Sequence, residues 1–151
     1  MIFSEQLKFS TNQDLSQTVA TYPSTNIIDT GAPGTVYGAA AALVRNVGKG
    51  NPVPVLVQVT ETFTSGGAAT LQFQIETDTD SGFATANKVI AESQVYALAD
   101  LVAGLQFGVQ VLPTDCSRYL RVNYIIAGAT TTAGTCTAGI TLGNQNNDNQ
   151  G

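Results

Sequence analysis

Between Cys116 and Ile126 the chain reads Cys-Ser-Arg-Tyr-Leu-Arg-Val-Asn-Tyr-Ile-Ile, and this stretch alternates. Leu120, Val122, Tyr124 and Ile126 take turns with Tyr119, Arg121, Asn123 and Ile125. A strand sends successive side chains to opposite faces, so each set shares one face. The first face is apolar and needs a core. The second, with Tyr119, Arg121 and Asn123, suits water or a protein partner. Pro113 just before the run and Gly128 just after it punctuate the strand at both ends.

Other runs share the period. Val53, Val55, Val57 and Val59 repeat at every second position, as do Leu71, Phe73 and Ile75, with Gln72, Gln74 and Glu76 on the reverse face. The runs Val53 to Thr62 and Ala68 to Thr77 are joined across Ser65-Gly66-Gly67, which reads as a β-hairpin. Leu105, Phe107, Val109 and Val111 alternate, and so do Cys136, Ala138, Ile140 and Leu142. Shorter strands are expected near Gln17 to Tyr22, Thr25 to Asp29 and Asn87 to Glu92. Val36 to Val47 has the best helix propensity, from Ala39 to Ala42, but Gly38 and Gly48 interrupt it, so a loop with at most a turn or two of helix is expected. Turn signals at roughly 8–12-residue spacing are the pattern of a sandwich or barrel. The fold class is therefore all-β, with about eight to nine antiparallel strands.

The chain has 151 residues, enough for one domain with a core of its own. Residues 1–16 read as a polar N-terminal arm whose Ile2, Phe3, Leu7 and Phe9 could tack onto the body or onto a neighbouring subunit. Residues 17–142 are the expected β-sandwich domain, and 143–151 an Asn- and Gln-rich tail expected to be disordered.

Charge is scarce. Only 11% of residues are charged, against about 25% in typical soluble domains. Thr, Asn, Gln, Ser and Gly supply the polarity, which suits a surface that meets other protein. A net charge of -5, with six scattered Lys and Arg, argues against nucleic acid and against a polybasic membrane patch. No apolar run reaches the length that spans a bilayer, and the N-terminal residues lack the pattern of a signal peptide. Synthesis in a cytoplasm is expected.

The sequence has no His. That removes Ser-His-Asp and Cys-His catalysis, and it leaves Cys116 and Cys136 short of a zinc set. The two Cys read as buried reduced thiols, with a disulfide open as the alternative. Asp78-Thr-Asp80-Ser-Gly82 resembles the start of a calcium loop, but the acid required at the twelfth position would be Val89, so an ordinary turn is expected. Glu61, Glu76, Glu92 and Asp100 are candidates for a hydrolytic carboxylate pair, yet nothing in the spacing brings two together. Gly31-Ala-Pro-Gly34 and Gly48-Lys-Gly50 lack the strand and helix context of a phosphate loop. No enzymatic activity, cofactor or metal is expected.

The run Leu112-Pro-Thr-Asp-Cys-Ser-Arg-Tyr-Leu-Arg-Val-Asn-Tyr124, then Gly128, then Thr132-Ala-Gly-Thr-Cys-Thr-Ala-Gly-Ile-Thr-Leu142, resembles the C-terminal half of the Bbp16-type capsid cement proteins of tailed bacteriophages. Ile27-Ile-Asp-Thr-Gly31, Val55-Leu-Val-Gln-Val, Gly67-Ala-Ala-Thr-Leu-Gln-Phe-Gln-Ile-Glu-Thr-Asp78 and Leu101-Val-Ala-Gly104 extend the resemblance over most of the domain. It departs at Ala39 to Ala42, at the two Cys and in the tail. The resemblance implies a jelly-roll-like β-sandwich on the outer surface of an icosahedral head. It also implies a homodimer or homotrimer that clamps subunits of the major capsid protein and uses no catalytic residues. The contact candidates are Tyr119, Arg121 and Asn123, with Phe3 and Phe9 on the arm. The rival readings are a carbohydrate-binding jelly roll of lectin-like or receptor-binding type, a small hydrolase, and a head–tail connector piece.

Overall fold

A computed structural model describes residues 3–32, 34–43, 47, 50–111 and 116–143. Among them are ten strands: β1 (Phe3–Asp14), β2 (Ala20–Pro23), β3 (Ile28–Asp29), β4 (Val53–Ser65), β5 (Thr70–Asp78), β6 (Lys88–Glu92), β7 (Tyr96–Ala97), β8 (Gln106–Val111), β9 (Tyr119–Ala127) and β10 (Thr131–Thr141). One 3₁₀ turn covers Leu98–Asp100. No α-helix occurs among the described residues, and the described part of Val36 to Val47 is turn and loop. The tail beyond Gly143, Pro113 and the Gly48-Lys49 pair lie outside the described residues.

The strands form two antiparallel sheets. One runs β1-β10-β4-β8; the other runs β2-β9-β5-β6, with β3 also on β9 and β7 also on β5. β2 and β3 occupy successive stretches of one side of β9, as β6 and β7 do along β5. Taking each pair as one interrupted strand leaves eight. Among these the first pairs with the eighth, the second with the seventh, the third with the sixth and the fourth with the fifth. A long antiparallel ribbon wound into two facing sheets gives this order, which is the jelly roll.

Alternation decides which side chains fill the space between the sheets. Val55, Val57 and Val59 from β4 face Leu71, Phe73 and Ile75 from β5, with Leu120, Val122, Tyr124 and Ile126 from β9 in the same buried cluster. Phe73 sits at the centre: its ring lies 6.0 Å from Phe107 of the opposite sheet and 6.0 Å from Tyr124 beside it. Burying one such aromatic contributes roughly 1.5–3 kcal/mol. Cys116 and Cys136 are buried in the same core as unbridged thiols. Burial pushes the Cys136 thiol up to about 12, so it stays protonated.

Two expectations fail here. The expected hairpin of Val53 to Thr62 with Ala68 to Thr77 does not exist: β4 pairs with β10 and β8, β5 with β9, β6 and β7. Ser65 to Ala69 instead carries the chain across the sandwich. The apolar faces of both strands look at one another through the core, and alternation is the same for facing strands as for paired ones. The second correction concerns residues 1–16. From Phe3 onward they are not an arm attached to the domain; residues 1–2 lie outside the described residues. β1 is an edge strand of the four-stranded sheet, paired to β10 from Phe3↔Thr141 to Asp14↔Thr135 through several bulges. Those bulges break the alternation, which is why the stretch reads as irregular in sequence.

Candidate interaction surface

Phe9 is completely buried in the core, so it cannot touch a partner of the folded chain. Beside it, the Ser10 hydroxyl and the Tyr124 hydroxyl share a hydrogen bond of 2.5 Å. Phe3 is half-buried; the space a side chain at Gly139 would take lies 2.9 Å from its ring. A Cβ at Gly139 would displace that ring, so the glycine is what lets Phe3 lie down on the sheet.

Tyr119, Arg121 and Asn123 do share the outward side of β9, as alternation predicts, but they are not free. Arg121 stands directly opposite Glu76 of β5. Its Nε donates to Glu76 Oε2 at 2.8 Å, and its Nη2 lies 2.8 Å from the same oxygen. Its guanidinium carbon sits 4.1 Å from the Phe83 ring centroid, a cation–π contact. Phe83 is itself buried and has φ +53°, a backbone region that favours glycine. Asn123 is buried between its register partners Pro23 and Gln74, and its Oδ1 has no hydrogen-bond partner among the described residues. Tyr119 is half-exposed, with the Arg118 guanidinium 4.7 Å from its ring. Exposure read from alternation therefore holds for Tyr119 and fails for Asn123, because a face that points outward can still be roofed by its neighbours.

The loop after β5 explains the calcium-like motif. Asp78 is buried, and its carboxylate accepts N–H donations from Asp80, Thr85 and Ala86 at 3.0–3.3 Å and the Thr79 hydroxyl at 3.3 Å. Burial pushes this carboxyl up, but the backbone donations outweigh it and hold the group below its ordinary value. Its oxygens serve the turn. Among the described residues no group of three or more His, Cys, Asp or Glu is placed to hold a metal. Of the carboxylates considered for hydrolysis, Glu76 is held by Arg121, and Glu92 accepts the Gln74 amide at 3.2 Å.

The remaining surface has two neutral features. On the outer face of the four-stranded sheet, successive rows across β8, β4 and β10 read Gln106–Gln58–Thr137 and Gly108–Leu56–Gly139, with Gln110–Pro54 beyond them; Leu56, Thr137 and Gly139 are buried, so the open part of the face is Gln58 and Pro54 of β4 with Gln106, Gly108 and Gln110 of β8. Threonine hydroxyls pair across the strands, Thr60 with Thr135 and Thr64 with Thr132, each at 2.8 Å. The second feature is the segment Gly34–Leu43, closed on itself by Leu43 N–H to Gly34 O at 2.8 Å. Tyr37 at its tip is fully exposed, and Val36, Leu43 and Ala39 to Ala42 are exposed around it. Sequence reasoning expected a loop here, as found, and gave it no contact role. Its signal was available: apolar residues with neither the period of a strand nor that of a helix have no face to bury.

Residues 9–140 match the family model of Bbp16. The chain belongs to the Bbp16 family. That family is a phage family, so this is a phage-associated β-sandwich protein. No curated protein matches the chain.

Proposed function

We propose that this Bbp16-family chain is a capsid cement protein: it binds the outside of an icosahedral phage head and stabilises contacts between major capsid protein subunits. The observation that carries the reading is the neutral open face of β4 and β8, where Gln58, Gln106 and Gln110 stand. Neutral amides and hydroxyls hydrogen-bond a partner without the cost of burying unpaired charge. The protein acts by binding alone, with no catalytic group and no cofactor. A copy that binds assembled shell and not free or unfolded subunits shifts the equilibrium towards intact shell. Weak contacts repeated on a symmetric lattice add through multivalency, and a homodimer or homotrimer strengthens that effect. Tyr119, half-exposed at the start of β9, is a contact candidate that survives the folded geometry.

Electron microscopy of purified particles tests this. The expected result is many copies on the outer surface, arranged with the symmetry of the shell. Adding the protein to shells that lack it should raise the temperature at which they break open. A few copies at one vertex, or binding to defined glycans with monosaccharide competition and none to shells, would overturn the reading.

A further inference from the structure

We infer that β8 is the edge on which a second copy of this chain docks, the two β8 strands pairing antiparallel about a two-fold axis at Gly108. The inference deepens the cement reading, on whose homo-oligomer it rests, and names the surface that builds it. An edge strand offers a row of unpaired N–H and C=O groups, and proteins blunt such rows with charge, proline, bulges or short length. Three edges of the two sheets are blunted. β1 has three register shifts and carries Glu5, Lys8 and Asp14. Along β9 the edge is the short β2, which ends in Pro23, and the two-residue β3 with Asp29. Along β5 it is β6, with Lys88, Glu92 and a register shift, then the two-residue β7. β8 has none of these devices. Its six residues carry no charge and no proline, and its register with β4 runs without a shift from Val53↔Val111 to Gln58↔Gln106.

The direction of its free groups follows from β4. Gly104 N–H donates to Val59 O and Val59 N–H to Leu105 O, each at 2.9 Å, so Val59 turns its backbone towards β8. A strand residue aims its N–H and C=O to one side and the next residue aims them to the other. Phe107, Val109 and Val111, opposite Val57, Val55 and Val53, are therefore bound to β4, while Gln106, Gly108 and Gln110 aim theirs at the open edge. Among the described residues no backbone bond reaches that side. Phe107 and Val109 are only half-buried, although the Val57 and Val55 they oppose are buried.

The strand itself points to its own copy as the occupant. About Gly108 the run Leu105-Gln-Phe-Gly-Val-Gln-Val111 reads alike in both directions: apolar, then Gln, then apolar. A two-fold interface demands such self-complementarity, and a strand of another protein does not. Pairing centred on Gly108 sets Gln106 opposite Gln110 of the second copy and Gly108 opposite its own copy. Every free N–H and C=O of these three residues then gains a partner. On the outer face each pair of amides can donate and accept mutually. On the inner face Phe107 meets Val109, an aromatic and β-branched pair. The joined sheet ends at the blunted β1 of each copy, so growth stops at two. The neutral open faces of β4 and β8 from both copies then lie side by side.

Sedimentation velocity of the full chain tests this in the absence of shells. The wild type should run at twice the mass of one chain. Gln106→Lys combined with Gln110→Lys sets like charges opposite one another and should weaken the dimer at least about tenfold. Gln106→Glu combined with Gln110→Lys sets opposite charges in the same places and should restore it. Both variants should keep the wild-type circular dichroism spectrum. A wild type that runs as a monomer or a trimer, a dimer that survives the like charges, or no recovery with the opposite charges overturns the inference. Shell binding is measured on the wild type alone. A dimer that leaves shells unbound overturns the cement reading and spares the edge; a monomer that binds shells does the reverse.

Discussion

The two ends of the sandwich solve opposite problems. At one end the two crossovers, or arches, Ser65 to Thr70 and Ala127 to Thr131 stack and are tied together by their own contacts and hydrogen bonds, although Val19 stands exposed beside them. Gly128 has φ +79°, and a Cβ there would stand 2.2 Å from the Ala68 carbonyl oxygen of the other arch. Ser65 donates its hydroxyl to Thr130 O at 2.7 Å. Thr131 donates to Leu15 O at 2.5 Å and accepts from Gln17 N–H at 3.0 Å. At the other end, from which the lobe Gly34–Leu43 departs, Tyr37 and Leu142 stand uncovered and Val36 and Leu43 are about half exposed. Internal satisfaction marks the first end as built for stability. The second end differs in its tip: Tyr37 is fully exposed and makes none of the stabilising contacts that the first end's groups make.

The sharpest way to break this contrast is at Gly128. Gly128→Ala combines a left-handed backbone with a clash against main chain, and should cost about 3 kcal/mol. The measurement is the urea midpoint at unchanged slope. A loss within experimental scatter would mean the arches are not packed as described. Thr131→Val comes next. It removes a buried hydroxyl and leaves the Gln17 N–H without its acceptor, for a loss of about 1–3 kcal/mol by the same measurement. At the opposite end, Tyr37→Ser should change stability by less than about 0.5 kcal/mol, as substitutions of uncovered residues do. A larger loss would show that the tip packs against the body after all.

The smallest expected effect is a titration at the root of the lobe. Hydrogen bonds from Arg118, and then from the Gly31 N–H, hold the Asp29 carboxyl down from 3.8 to about 2. A depressed carboxyl contributes stability that is fully present above the unfolded value. That contribution fades as the pH falls from near 4 towards 2. The Gly31 amide resonance followed through this range should report a midpoint near 2, and Asp29→Asn should abolish the titration. A midpoint at the ordinary carboxylate value would show that the root is open.

Much of the fold could be read before any coordinates. The strands at β4, β5, β8, β9 and β10 announce themselves through period two, and the inward sets from β5 and β9 are the ones expected. The candidate site was legible only in part. Arg121 and Asn123 were placed on the correct side of β9, yet one is held by Glu76 and Phe83 and the other is roofed by Pro23 and Gln74. Those neighbours are distant in sequence, so nothing in β9 itself announces them. Phe9 misled for a related reason: bulges in β1 hide its inward turn. For Val36 to Val47 a loop was expected despite the helix propensity of its alanines, and the described part is turn and loop.

What the residues settled by themselves is local. Alternating β-branched and aromatic side chains can bury one face only as strands, and glycines such as Gly128 mark where a strand must stop. Which strand lies beside which was settled by the tertiary structure alone. β4 and β5 carry interchangeable apolar faces, and hydrophobic burial is non-directional, so burial accepts either a hairpin or a crossing. The choice fell to the stacked arches and to the ladders β4–β10 and β5–β9, where pairing across long stretches of chain satisfies backbone hydrogen bonds that no local pattern encodes.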